Sequence, residues 1–149
     1  MHKLNRTLFA AVFIGLAGAT VAGAQTAAEV NKTFDELFGE HAPYKAFFDK
    51  LKKAVAENDK KTVASMVDYP FKARINDKAV TIRDAAHFEA DYDKVFTKKV
   101  KEAVAKQTYA TLFANWQGVM IGDGEVWFSG ICNNEACEKQ TVRIIAVND

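Results

Sequence analysis

The residues from 116 to 149 alternate between apolar and other side chains with a period of two. Val126, Phe128 and Gly130 alternate with Glu125, Trp127, Ser129 and Ile131, and residues 141 to 147 alternate in the same way after a polar stretch. A period of two is typical of β-strands, since successive side chains point to opposite faces. The pattern predicts a β-hairpin preceded by a short strand, around which the upstream segments pack.

The first 24 residues have the features of a secretory signal. Lys3 and Arg6 precede an apolar run over 8–19, and Ala22-Gly23-Ala24 has the small-x-small form of a cleavage site. The run is shorter than the roughly 20 residues that a membrane anchor needs. We therefore expect cleavage after Ala24, a periplasmic location, no stable membrane insertion afterwards, and a single domain over residues 25–149.

The charge of this domain is close to balanced. The signal-like segment holds two of the 20 basic residues and none of the 19 acidic ones, which leaves 18 against 19. A near-neutral domain has no global electrostatic attraction for nucleic acid, so we expect no nucleic-acid partner.

The two cysteines of the chain, Cys132 and Cys137, lie where the two strands of the hairpin meet their loop. In an exported protein such a pair favours a disulfide. A metal or redox pair is the alternative, but no further Cys or His is near, and the spacing is not C-x-x-C. The bond would order the polar tip, Asn133, Asn134 and Glu135, more than it would support the fold.

The upstream segments predict helices and one small hairpin. Apolar stripes indicate helices over 26–38, 44–57 and 60–67, strands over 71–75 and 78–82, and two more helices that begin after Asp84 and Thr97. The stretch 107–115 suits either a helical turn or a strand. Helices and strands that are segregated in this way predict an α+β fold with an antiparallel sheet.

The order of elements resembles the NTF2-like superfamily, in which helices pack on a curved, cone-shaped antiparallel sheet. The resemblance spans 42–147 and is carried by the hairpin that opens with Tyr69-Pro70 and by the stretches 112–115, 118–122 and 124–128. It implies a pocket between sheet and helices that some members use for catalysis and others for binding, so the fold alone assigns no activity.

A small-molecule pocket is the first functional hypothesis. Both faces of the strand around Trp127 are apolar, so one face lies in the core or lines a pocket. In this hypothesis an exported, non-catalytic protein binds a small, partly apolar ligand, without metal or cofactor, through a set of five side chains, namely Tyr92, Phe113, Trp116, Trp127 and Arg143.

Two alternatives remain open. The first is a protein-binding module of the cell envelope, such as an enzyme inhibitor or immunity protein, in which the tip at Asn133, Asn134 and Glu135 inserts into a partner. The second is an isomerase- or dehydratase-like enzyme, which needs a carboxylate of raised pKa in an apolar pocket; its candidates are Asp84, His87, Asp91, Tyr92 and Asp93. The resemblance also makes a homodimer conceivable, although no residue demands one.

Overall fold

The computed structural model of the protein describes residues 25–76 and 78–149. The predicted signal sequence and its cleavage after Ala24 lie outside the described residues. Within them the chain has helices and antiparallel β-sheets, which confirms the predicted α+β class.

Residues 25–76 and 78–149 contain five α-helices, and polar side chains define where four of them begin. Thr26, Asp59, Asp84 and Thr97 each accept a hydrogen bond from a backbone N–H in the first turn of the helix that follows. The second helix has Pro43 in its first turn instead. The helices are α1 (Ala27–Phe38), α2 (Ala42–Ala56), α3 (Lys60–Ser65), α4 (Ala85–Val95) and α5 (Lys98–Lys106).

In the part of the chain that the structure describes, six strands form two antiparallel sheets. The small sheet pairs β1 (Phe71–Ile75) with β2 (Lys78–Ile82). In the large sheet each strand pairs with the next one along the chain, in the order β3 (Phe113–Asn115), β4 (Gly118–Ile121), β5 (Val126–Cys132) and β6 (Gln140–Val147). The ambiguous stretch 107–115 resolves into a 3-10 turn at Tyr109–Thr111 followed by β3.

The outer edge of β6 is covered by the chain that leaves α3. Ile144 N–H donates to the Met66 carbonyl at 2.8 Å, and Asp68 N–H donates to the Ile144 carbonyl at 3.0 Å. Because residues 66–68 are drawn alongside β6, α3 ends at Ser65 rather than at Val67 as predicted. The other edge of the sheet is β3.

One face of the large sheet forms the core with α1 and α2. The Phe128 ring packs 5.0 Å from the Phe47 ring, and the Tyr44 hydroxyl accepts a hydrogen bond from Gly130 N–H at 3.1 Å. Buried side chains thus fill the space between this part of the sheet and α2. The core-facing residues of β4, β5 and β6 are at most 8% exposed, namely Val119, Ile121, Val126, Phe128, Ile144 and Val147.

The alternation predicted for the last strand holds only as far as Ile144. A β-bulge shifts the register, so that Phe128 pairs with Ile144 while Trp127 pairs with Ala146. Ile144 and Val147 therefore both face the core, and Ala146 faces outward. Strict alternation had instead placed Ala146 on the same face as Ile144.

Candidate functional site

Two loops of the large sheet lie at the same end of it. Because β3 to β6 run antiparallel in chain order, the β3–β4 turn and the β5–β6 loop share one end, and the β4–β5 turn lies at the other. Towards the shared end, the pairing of β5 with β4 stops at Phe128, which pairs with Val119. The pairing of β5 with β6 continues four residues further, to Cys132 and Gln140, so the β5–β6 hairpin projects past the β3–β4 turn. We call this the hairpin end.

The face of the large sheet that points away from the helices carries large apolar side chains. Phe113 pairs with Met120, Met120 with Trp127 and Trp127 with Ala146, so that one row crosses all four strands. Phe113 is 50% exposed, while Met120 and Trp127 are half-buried. We call Phe113, Met120 and Trp127, together with Trp116 in the turn between β3 and β4, the outer patch.

Trp116 is the most exposed large apolar side chain among the described residues, at 82%. It occupies the two-residue turn between β3 and β4, where Gln117 N–H donates to the Asn115 side-chain oxygen at 2.8 Å. Gly118 has a φ of +140°, and a Cβ there would lie 2.6 Å from the Phe128 carbonyl oxygen. The turn therefore packs closely against β5 and presents its indole to solvent.

The opposite end of the outer patch lies over the β4–β5 turn. A Cβ built on Gly124 would lie 3.7 Å from Trp127 Nε1 and 3.9 Å from Met120 Sδ. The side chains of Trp127 and Met120 thus pack against the β4–β5 turn. Met120 was not among the predicted site residues, because only the strand register shows that it lies between Phe113 and Trp127.

The predicted disulfide is confirmed. Cys132 and Cys137 are bonded with a Cα–Cα distance of 4.7 Å. Asn133 Oδ1 accepts from the Thr141 hydroxyl at 3.0 Å, and Asn134 Oδ1 accepts from Glu138 N–H at 3.1 Å. These two predicted contact residues therefore also order the tip, while Glu135 is exposed beside them.

The five residues predicted to line one ligand pocket are not all brought together. Phe113, Trp116 and Trp127 share the outer patch, but Tyr92 is fully buried and its ring stacks on Phe96 at 5.3 Å. The stripe that carries Tyr92 is a core stripe, which is why the prediction of a common pocket fails for it. Arg143 lies on the outer face, and its guanidinium donates to the Ser65 carbonyl at the end of α3.

Two of the predicted acid–base candidates serve the structure of α4. Asp84 accepts from His87 N–H at 2.9 Å as the helix cap. Asp91 lies 2.8 Å from Lys94 Nζ and 3.3 Å from His87 Nε2, and the hydrogen bond from Lys94 lowers the pKa of the Asp91 carboxyl.

Asp93 has a still lower proton affinity. It receives hydrogen bonds from Lys101 at 2.8 Å and Lys60 at 2.5 Å, which lower its pKa to about 2. A carboxylate that acts as a general acid, or as a base near neutral pH, needs a raised pKa, so the environments of Asp91 and Asp93 are tuned in the opposite direction.

The described ranges contain neither a candidate membrane span nor a convergent set of metal ligands. None of their helices combines the length and apolar character that crossing a bilayer requires. No group of three or more His, Cys, Asp or Glu side chains converges there. Comparison of the chain with family models, curated proteins and solved structures found no match.

Proposed function

We propose that the mature chain is an exported protein-binding module of the cell envelope, NTF2-like in architecture, which docks a partner protein through the outer patch. The observation that carries the proposal is the exposure of Trp116, at 82%, in the turn that joins β3 and β4, whose Phe113, at 50%, and Met120 pair on one sheet face. Single exposed apolar residues are common, but adjoining large ones mark interaction sites.

The composition of the outer patch is that of an interface core. Tryptophan, phenylalanine and methionine are enriched where protein interfaces exclude water, and tryptophan is prominent among the residues that dominate binding energy. Trp116 also has an indole N–H to donate. Since Gly118, at the end of the turn that holds it, packs against β5, the backbone of the turn is already ordered before binding.

The shape of the surface favours a protein over a small molecule as the occupant. Small-molecule sites are concave and enclose most of their ligand, whereas the outer patch lies across an open sheet face. The disulfide hairpin projects beside it at the hairpin end, where a large partner can touch both. This retains the predicted role of the tip and adds the sheet face to it.

Three features support the envelope location and the architecture. The disulfide is of the kind that persists in oxidising compartments, and the first 24 residues have the form of a signal sequence. The helices α1 and α2 pack on one side of a meander, as the resemblance to the NTF2-like superfamily implies.

The proposal is tested first by site-specific cross-linking. A photoreactive amino acid at Gln117, adjoining the outer patch, is compared with one at Lys99 on α5 in the exporting host. A partner protein that cross-links from position 117 and not from position 99 is then purified, and its affinity for the mature chain is measured by calorimetry.

The affinity of that partner for three variants decides the outcome. Trp116→Ala is expected to weaken binding by at least about 30-fold, the cost of removing a dominant interface side chain. Leu37→Ala is the matched control, since Leu37 is an apolar side chain on α1 that is 40% exposed, and it should leave affinity unchanged. Asn134→Ala tests the tip. Equal affinity of Trp116→Ala and the native chain would refute the proposal, as would a stable homodimer in which the patch is buried.

A further inference from the structure

A concave surface lies between α2 and the α4–α5 pair, and none of the residues that line it belongs to the outer patch. It has a volume of about 700 Å³. Its floor is apolar and includes Val55 and Phe96, and its rim carries charged side chains. We call it the α2–α5 groove.

The groove exists because small residues face it from both helices. Ala56 on α2 and Ala105 on α5 are exposed and leave room where larger side chains would meet. Phe96 lies below them and is fully buried. The methylene stems of the rim lysines extend the apolar walls, because lysine keeps only its ammonium group in water.

The two helices that flank the groove are strongly basic. Helix α2 contains four lysines and one aspartate, and α5 contains four lysines and one glutamate. The other residues of the chain carry twelve basic and seventeen acidic side chains, so the near-neutral total conceals a segregation of charge. Among the side chains that line the groove itself, three are lysines and two are carboxylates, so positive charge is in excess there.

The lysines on the rim differ in how their charge is balanced. Lys101 Nζ lies 2.8 Å from Asp93, and Lys98 Nζ lies 3.8 Å from Glu102. Lys52 instead donates to the backbone carbonyl of Gln107, and no carboxylate of the described residues lies within ion-pair distance of it. It has a full positive charge to offer at the edge of an apolar floor.

We propose that the α2–α5 groove binds a monomeric single-chain amphiphile with an anionic head, its alkyl chain along Val55, Ala56, Phe96 and Ala105 and its head at Lys52. This is a site separate from the outer patch and goes beyond the proposed function. The apolar floor favours an alkyl chain, and the excess of lysine favours a negatively charged head group. The volume of the groove falls within the range of small-ligand sites. A concave groove holds one chain, whereas a bilayer surface calls for a convex apolar face.

The probe is sodium dodecanoate, titrated into the mature chain below its critical micelle concentration and followed by calorimetry. Saturable one-to-one binding is expected. Decanoate, which lacks two methylenes, should bind about tenfold more weakly if those methylenes are buried. Dodecyltrimethylammonium, with the same chain and the opposite charge, should show no binding. Equal binding of the cationic and anionic probes would overturn the proposal, since the groove would then not discriminate between head groups by their charge.

Paired variants locate the site. Ala105→Phe fills the groove and should abolish dodecanoate binding, while Ala90→Phe places the same ring on an exposed alanine of α4 outside the groove and should not. Lys52→Gln should weaken binding about tenfold, and Lys53→Gln, which removes a neighbouring charge that does not line the groove, should have little effect.

Three further results would also overturn the proposal. They are undiminished binding to a folded Ala105→Phe variant, absence of binding to the native chain, and binding to phosphatidylglycerol vesicles without binding to monomeric dodecanoate. The last would assign the basic helices to a membrane surface instead. Circular dichroism of each variant confirms that it is folded. Because Trp116→Ala leaves the groove intact, failure of this proposal and failure of the protein-binding proposal are distinguishable.

Discussion

The substitution Tyr92→Phe is expected to stabilise the protein. The Tyr92 side chain is fully buried, and its hydroxyl has no hydrogen-bond partner among the described residues. An unpaired buried hydroxyl costs about 1–3 kcal/mol in lost hydration. Phenylalanine removes this cost while it retains the stacking on Phe96 at 5.3 Å and the edge contact with Phe88 at 6.2 Å.

The expected gain in the free energy of unfolding is about 1 kcal/mol, because a cavity the size of one oxygen atom offsets part of the benefit. For a domain of this size that corresponds to an increase in Tm of about 4 °C. Lys101 and Lys60, with Nζ atoms 4.8 and 5.5 Å from the ring centroid, keep their contacts with either ring. Urea denaturation followed by circular dichroism measures the change.

The effect of pH provides an independent check. Burial raises the pKa of Tyr92 to about 12, because the folded protein favours the neutral phenol. The stability that depends on this neutral form is complete below the ordinary tyrosine pKa of 10.0 and is lost as the pH rises through about 12. The advantage of Tyr92→Phe should therefore grow between pH 10 and pH 12.

The control is Tyr109→Phe. The Tyr109 hydroxyl donates to Asn31 Oδ1 at 2.8 Å, so its removal should lower the free energy of unfolding by about 1 kcal/mol. The two substitutions are chemically identical and are expected to have opposite signs. A loss of stability in Tyr92→Phe equal to that in Tyr109→Phe would refute the reasoning, since the Tyr92 hydroxyl would then have a partner.

Three further changes test other features. Replacing both Cys132 and Cys137 by Ser should lower the free energy of unfolding by about 2 kcal/mol, as expected for so short a loop, with an unchanged far-ultraviolet spectrum. Asp93→Asn should lower stability near neutral pH, because the folded protein holds the pKa of Asp93 at about 2 against an ordinary 3.8. The stabilisation by the ionised Asp93 is complete above pH 3.8, so in acid titrations the difference from the native chain should vanish as the pH falls through 2. Gly118→Ala should destabilise by about 2 kcal/mol in urea titrations, because its Cβ meets the Phe128 carbonyl at a φ that disfavours side chains.

The fold class follows from local signals that are strong in this chain. The helix caps at Asp59, Asp84 and Thr97 satisfy backbone N–H groups whatever the tertiary structure is, so their positions were predictable. The end of α3 and the bulge in β6 were not. Both depend on Ile144, whose backbone bonds to residues nearly eighty positions earlier in the chain.

The candidate site was predictable in composition but not in geometry. Phe113, Trp116 and Trp127 were identified by their type; the structure places Phe113 and Trp127 in one row of the outer face and Trp116 in the adjoining turn. Tyr92 was grouped with them because sequence periodicity shows that a residue belongs to an apolar stripe and not what that stripe packs against. The α2–α5 groove was not foreseen, because it depends on how α2 and α5 pack against each other, which sequence periodicity does not show.

The covering of β6 by residues 66–68 has a consequence for assembly. Because residues 66–68 bond to Ile144 within β6, a foreign strand cannot pair along the whole of that edge, and the other edge, β3, offers only three residues and hence few main-chain bonds. Such a short margin resists uncontrolled stacking of copies into fibres. With so little exposed strand edge, side chains rather than backbone pairing would determine which partner this protein binds.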